Sequence, residues 1–181
     1  MGYDMTTIGD ELYFRANIWG MGDLRMAMER LGMLSMEGVP EWPDQPEGYW
    51  DREEAGAPSP EDEKFEQDVD AQRTRHAGVG IAAHKLCSND GWVVTPEEID
   101  QALILYDAHP RERVVQALRG DPLNDADVSS KSTGELVFAA AFGVTTTAAE
   151  TDEEFARTIQ FWDEWVDYLR QAQRDGGFRV W

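Results

Sequence analysis

Apolar residues recur at helical spacing along most of the chain. The stretch that starts at Asp23 places Leu24, Met28 and Leu31 on one face, as in an amphipathic helix. A second stripe runs from residue 60 to residue 86 at alternating steps of four and three. It predicts one long helix, whose buried face carries Phe65, Val69, Gln72, His76, Val79, Ala83 and Leu86.

Capping residues mark two helices in the middle of the chain. Thr95, Pro96 and Glu98 have the spacing of a capping box with proline in the first turn. A short helix follows Pro110 and is expected to stop at Gly120. The first of these two helices has a buried stripe formed by Ile99, Leu103 and Tyr106.

Two further helices are predicted in the last third of the chain. The run Glu135–Val144 is apolar all round, which is typical of a buried helix. Thr151 and Glu154 form a second capping box, and the pair Gly176 and Gly177 is expected to end the helix that it starts. The apolar stripe of this last helix contains Phe155, Ile159, Trp162, Val166 and Leu169.

Strand-like alternation is visible only near the two ends of the chain, at Glu11–Arg15 and Phe178–Trp181. These two segments are candidates for a small two-stranded sheet that joins the N- and C-termini. The pattern as a whole predicts a mainly α fold, a bundle of five to six helices. At 181 residues the chain is expected to form a single domain, residues 1–181.

An acidic, proline-rich segment interrupts this pattern. Between Glu37 and Asp70 there are 13 acidic residues and two basic ones, and five of the eight prolines lie within residues 38–62. Because proline blocks both helix and ladder hydrogen bonds, residues 38–62 are predicted to be an extended loop. Its aromatic residues are expected to pin the loop to the domain, or alternatively to form part of a binding surface; they are Trp42, Tyr49 and Trp50.

The overall charge excludes some partners. The formal net charge of −20 argues against direct binding to nucleic acid or to an anionic membrane, since both need cationic surfaces. No apolar run approaches the roughly 20 residues that cross a bilayer. The single cysteine, Cys87, cannot form an internal disulfide, and a cytoplasmic protein is therefore expected.

Metal and nucleophile chemistry are not favoured. His84 and Cys87, three residues apart on the predicted long helix, could share a metal ion, but His76 lies two turns away and no standard ligand spacing occurs. Cys87 and the nearby His84 could also act as a nucleophile and its base, but a lowered thiol pKa is not expected because Asn89-Asp90 adds negative rather than positive charge. No cofactor, metal or catalytic residue is therefore expected.

One glycine pattern leaves an alternative open. Gly20 and Gly22 follow an apolar run and open a helix, with Arg25 nearby. A helix N-terminus with an adjacent arginine is typical of anion-binding sites. The Gly20–Arg25 turn is thus the basis of an alternative function, a small-molecule-binding or anion-binding domain or an enzyme.

Two end motifs carry a resemblance. The stretches YFRANIWGMG, at Tyr13–Gly22, and GGFRVW, at Gly176–Trp181, resemble the ends of short acidic uncharacterised proteins encoded by actinobacteria and their phages. The resemblance implies no activity and no site residue. It does imply an accessory protein of a mobile element rather than a metabolic enzyme.

The charge distribution leads to the first functional hypothesis, a non-enzymatic interaction protein such as a phage-encoded inhibitor. It would present a nucleic-acid-like negative surface to a basic protein, for example a nucleic-acid-binding protein. The alternative, which the sequence supports as well as the first hypothesis, is that the charge confers only solubility. Because a helix start fixes side chains in space, the candidate partner-binding residues are Glu61, Asp62, Glu63, Glu66, Asp68 and Asp70.

Overall fold

A computed structural model describes residues 2–9, 12–120 and 152–181 of the chain. The predicted helix at 135–144 and the predicted cap at Thr151 lie outside these residues. The described helices are α1 (Ile18–Arg30), α2 (Tyr49–Glu54), α3 (Pro60–Thr74), a 3₁₀ turn (Ala83–Leu86), α4 (Pro96–Asp107), α5 (Arg111–Arg119) and α6 (Asp152–Arg174). The strands are β1 (Gly2–Thr7), β2 (Tyr13–Asn17), β3 (Leu34–Ser35), β4 (Ile81–Ala82), β5 (Trp92–Val94) and β6 (Phe178–Val180).

The main sheet has four antiparallel strands in the order β2-β1-β6-β5, and β3 pairs with β4 in a separate parallel ladder. The fold is therefore mixed α/β, and the prediction of a mainly α bundle is wrong. The strand that pairs with the C-terminal β6 is β1, not the segment around residues 11–15, and β5 completes the sheet on the other side of β6. Neither β1 nor β5 shows the hydrophobic alternation that would have predicted a strand. In β1 the buried Thr7 is polar, and in β5 all three residues are apolar.

The core lies between the inner face of this sheet and the helices. Phe14 of β2 contacts the rings of Phe161 and Trp165 on α6, with centroids 5.4 and 5.2 Å apart. Phe178 of β6 meets Trp165 edge to face at 5.9 Å. Helix α4 packs along α6, while α1 packs against α5. The helices thus cover one face of the sheet, and both chain ends contribute to the same core.

The predicted long helix over residues 60–86 ends at Thr74. Gly80 has a positive φ of 86°, and a Cβ there would lie 2.3 Å from the carbonyl oxygen of Met33. This close approach lets the Ile81 amide donate to Met33 at 2.9 Å and lets β4 pair with β3. A continuous helix cannot make that contact, so the helical stripe beyond residue 74 is wrong.

The sequence signals for the start of α4 and for the ends of α5 and α6 are confirmed. Thr95 and Glu98 make both hydrogen bonds of a capping box, with Pro96 in the first turn. Gly120 ends α5 with a positive φ of 74°. After α6, the Gly177 amide donates to the carbonyl of Ala172 at 2.7 Å, which closes the last turn as predicted.

Residues 38–62 contain more order than the predicted loop. Helix α2 lies inside this segment, and Ser59 caps α3 with a capping box to Asp62. Trp42 packs on the buried Trp92 with ring centroids 4.8 Å apart. Trp50, by contrast, is 67% exposed.

One core residue provides a pH-dependent prediction. The hydroxyl of Tyr168 is buried with no hydrogen-bond partner among the described residues, and burial raises the pKa of this phenol well above its ordinary 10.0. The folded state therefore keeps Tyr168 neutral above pH 10, where the unfolded chain ionises, so stability is lost as the pH rises past 10. We expect Tyr168→Phe to stabilise the protein by about 1 to 3 kcal/mol at neutral pH, because an unpaired buried hydroxyl is removed.

Urea unfolding curves between neutral pH and pH 11 measure both effects. The stability advantage of Tyr168→Phe over the wild type should widen above pH 10. A difference that stays constant across that range would contradict the assignment.

Candidate functional site

Helices α2 and α3 form a small unit at the side of the sheet, with α3 packed beside β5. Three interactions join the helices, and one of them is the hydrogen bond that the Tyr49 hydroxyl donates to Glu66. The ring of Tyr49 packs against Phe65 with centroids 5.1 Å apart, and Arg52 makes a bidentate ion pair with Asp62. These contacts hold the two helices together, and we call the pair the α2–α3 unit.

Asp62 is a structural residue of this unit. Its side chain is 2% exposed and accepts hydrogen bonds from Nε and Nη2 of Arg52, both at 2.7 Å. The amide of Ser59 donates a third hydrogen bond, also at 2.7 Å. The hydrogen bonds from Arg52 hold the pKa of Asp62 far below its ordinary value. The sequence-based choice of Asp62 as a residue that faces a partner therefore needs correction.

The other five candidate carboxylates remain accessible, but they differ in their local partners. Asp68 pairs with Lys64 at 2.5 Å, and Asp70 lies 3.3 Å from Arg73. The hydroxyl of Tyr49 donates to Glu66 at 3.1 Å. The remaining two, Glu61 and Glu63, are exposed in the first turn of α3.

Three of these carboxylates share one side of α3. Glu63, Glu66 and Asp70 are spaced at i, i+3 and i+7, which aligns them along one helix face. The Lys64–Asp68 pair lies on the opposite flank, where the lysine offsets the charge of Asp68. On the side of Glu63, Glu66 and Asp70, Arg73 pairs with Asp70 at its C-terminal end. We call the Glu63, Glu66 and Asp70 side the acidic face of α3.

An exposed indole lies beside this face. Trp50 on α2 packs edge to face on Tyr49, with centroids 5.1 Å apart, and Tyr49 in turn binds Glu66. Tryptophan is enriched among the residues that contribute most to binding at protein interfaces. The α2–α3 unit therefore combines fixed carboxylates with an aromatic side chain.

The alternative anion site does not have the predicted backbone. Helix α1 begins at Ile18, and Asn17 caps it by accepting the Gly20 amide at 2.7 Å. A Cβ on Gly20 would lie 3.2 Å from the ring of Phe161, so this glycine allows α1 and α6 to approach closely. The predicted Gly20–Arg25 turn is thus part of a helix, with Gly22 and Arg25 inside it.

His76, His84 and Cys87 do not share a helix, because α3 ends before them. The thiol of Cys87 donates to the carbonyl of Ala83 at 3.0 Å, and desolvation raises its pKa, which leaves little thiolate. His84 is buried against the ring of Trp92, and burial lowers its pKa. Within the described ranges, no group of three His, Cys, Asp or Glu side chains could hold a metal ion.

A buried polar network was missed by sequence reasoning. Lys85 and Glu98 are both fully buried and form an ion pair at 2.8 Å. Lys85 also donates to the carbonyl of Val93 at 2.8 Å. His76 approaches Glu98 at 3.4 Å and Glu37 at 3.1 Å. Each charged group in this network has a partner, as a buried charge requires. The network joins α4 to the 3₁₀ turn, to β5 and to the chain after β3.

No protein family, curated protein or solved structure matches this chain. The resemblance of the two end motifs to actinobacterial and phage proteins therefore stays a prediction. Across the described part of the chain, the helices are too short or too polar to cross a membrane.

Proposed function

We propose that the chain is a non-enzymatic interaction protein whose α2–α3 unit binds a basic surface of another protein. The observation that carries this proposal is the acidic face of α3. Its three carboxylates are held on a helix that Arg52 and Asp62 anchor to α2. A cytoplasmic location, expected from the single cysteine, is part of the proposal.

Fixed carboxylates favour such binding for two reasons. Charges on a helix lose little conformational freedom when a partner arrives, whereas charges on an extended loop must first be ordered. In addition, a surface of one sign steers an oppositely charged partner and raises the association rate. Basic surfaces that bind nucleic acid are the partners that this argument favours, because their cations already neutralise phosphates.

Trp50 supplies the apolar part of the proposed interface. Rim charges alone contribute mainly to the association rate, while affinity at most interfaces depends on a few well-packed aromatic or arginine side chains. An exposed tryptophan next to the acidic face provides such a side chain. The partner is therefore expected to offer an apolar pocket bordered by lysine or arginine.

Affinity capture and charge reversal test the proposal. A captured partner should be basic, and its purified form should bind less tightly as salt rises and as double-stranded DNA is added. The triple variant Glu63→Lys, Glu66→Lys and Asp70→Lys should weaken this binding by at least about tenfold, because three attractive charges become repulsive. Asp62 is left unchanged so that its ion pair with Arg52 is preserved. Circular dichroism checks the fold of the variant, because Glu66→Lys removes the hydrogen bond from Tyr49.

A matched control reverses three exposed acidic residues elsewhere, with the same change in net charge: Glu29→Lys, Glu164→Lys and Asp167→Lys. It should retain the affinity of the wild type. Equal weakening in both triple variants would show that only the net charge matters, and capture of no basic partner would also contradict the proposal.

A further inference from the structure

The four-stranded sheet has two edges that differ in how they are covered. At one edge, the carbonyl of Val93 in β5 accepts a hydrogen bond from the buried Lys85, and α3 packs beside the strand. At the other edge lies β2, which pairs with β1 on one side. Among the described residues no strand pairs with its outer side.

The hydrogen-bond pattern shows which main-chain groups of β2 point outward. Thr7 donates to the carbonyl of Leu12, and hydrogen-bonded pairs alternate along an antiparallel ladder. On the other side of β1, the amide and the carbonyl of Asp4 are both hydrogen-bonded to Trp181, which follows β6. Asp4 therefore makes no main-chain hydrogen bond to Arg15, the residue opposite it in β2. The amides and carbonyls of Tyr13 and Arg15 therefore face away from β1.

The side chains at this edge are exposed and largely uncharged. Tyr13 is 59% exposed and Trp19, at the start of α1, is 71% exposed. From residue 12 to residue 19 the only charged side chain is Arg15, in a chain with a net charge of −20. In the described structure this stretch holds four of the twelve exposed large apolar or aromatic side chains, namely Leu12, Tyr13, Ile18 and Trp19.

We propose that β2 is a self-association surface, at which a second copy of this chain adds its own β2 in antiparallel orientation. The outward groups allow the registers in which Tyr13 or Arg15 of one copy faces Tyr13 or Arg15 of the other. Among these we choose the register that pairs Tyr13 of each copy with Arg15 of the other, because it avoids placing two arginines opposite each other. Two such pairs make four main-chain hydrogen bonds, since each hydrogen-bonded pair exchanges both. The two sheets then form one continuous sheet of eight strands.

This register is self-complementary in its side chains as well. Within each copy, Asp4 accepts a hydrogen bond from the Tyr13 hydroxyl and pairs with Arg15 at 3.6 Å. Across the two copies, Tyr13 and Arg15 lie opposite each other on the outer face, where the guanidinium can stack on the phenol ring. On the inner face Phe14 meets Phe14 of the second copy, which extends the aromatic cluster that Phe14 forms with Phe161 and Trp165. Arg15 does not face a second Arg15.

The charge distribution is compatible with a second copy at this edge. The α2–α3 unit lies beside β5, at the opposite edge of the sheet, so pairing through β2 keeps the two acidic faces of α3 apart. The remaining repulsion between like-charged copies is screened by salt. Self-association should therefore increase with salt, whereas binding of a basic partner should decrease.

Sedimentation velocity of the full chain tests the proposal, together with two variants of β2. We expect the wild type to form a dimer of twice 20.5 kDa, and the dimer fraction to rise between about 0.05 and 0.5 M salt. Arg15→Pro removes an outward amide without breaking the ladder to β1, because proline is tolerated at a sheet edge. Arg15→Glu keeps that amide but replaces the cation that pairs with Asp4 by a carboxylate, which adds like charge at the contact between two acidic copies. Both variants should be monomers.

The matched control is Arg179→Glu, which makes the same charge change on β6, away from the β2 edge. It should remain a dimer. A monomeric wild type at every concentration and salt would overturn the proposal, as would a dimer that persists in Arg15→Glu or one that Arg179→Glu disrupts equally. If Arg15→Pro fails to fold by circular dichroism, Arg15→Glu decides the outcome.

Discussion

Deletion of residues 178–181 is expected to leave a chain that does not fold. The deletion removes β6, which lies between β1 and β5 and pairs with both. It also removes Phe178 and Val180, whose side chains are fully buried. A single Phe178→Ala change should cost about 3 to 5 kcal/mol, as is typical for a large aromatic side chain in a core. Loss of the whole strand should exceed this cost.

Circular dichroism and chemical denaturation measure these effects. Trp181→Ala is the control, because Trp181 is half-exposed and follows the strand; its effect on stability should be small. A cooperative thermal transition in the deleted chain, close to that of the wild type, would contradict the central position of β6.

Replacement of Lys85 with methionine should destabilise the protein by about 3 to 5 kcal/mol, because the buried carboxylate of Glu98 loses its ion pair. Both side chains are fully buried and the ion pair measures 2.8 Å. The amides of Thr95 and Ala82 still donate to Glu98, but they do not replace the charge of the ammonium group. The variant also removes the hydrogen bond that Lys85 donates to the carbonyl of Val93 in β5. Urea unfolding at neutral pH measures the change.

Two further variants separate these contributions. Lys64→Met alters an exposed lysine, and its effect should be well under that of Lys85→Met, since exposed ion pairs contribute little. The double variant Lys85→Met with Glu98→Gln removes the buried negative charge that has lost its lysine, and it should recover part of the lost stability. A Lys85→Met protein as stable as Lys64→Met would contradict the buried pair.

The parts of the fold that could be predicted from the sequence depend on neighbouring residues. The capping box at Thr95, the stop at Gly120 and the glycine pair after α6 act within one helical turn, so their residues are adjacent in the sequence. The sheet depends instead on contacts between distant segments, such as Met5 with Val180. Nothing in the six residues of β1 shows which partner they will find.

The candidate site shows the same limit at the level of single side chains. The acidic composition of residues 61–70 is plain from the sequence, and the accessible acidic face of α3 agrees with it. The burial of Asp62 is not visible in that way, because it depends on how α2 folds back and brings Arg52 to the carboxylate. Likewise, Glu98 is identifiable as a cap residue, but its ion pair with Lys85 requires the turn at Gly80.

The position of β6 has a consequence for synthesis on the ribosome. Residues of β1 emerge early, but their neighbour in the sheet is made nearly a whole chain length later, since Met5 pairs with Val180. At typical elongation rates the β1–β2 hairpin therefore waits roughly 10 to 30 seconds before the strand beside it exists. During this interval the hairpin presents two unpaired edges and an uncovered apolar face, which are features that chaperones bind. Completion of this fold is accordingly a late event, and pairing across such a sequence distance also predicts slow refolding in vitro.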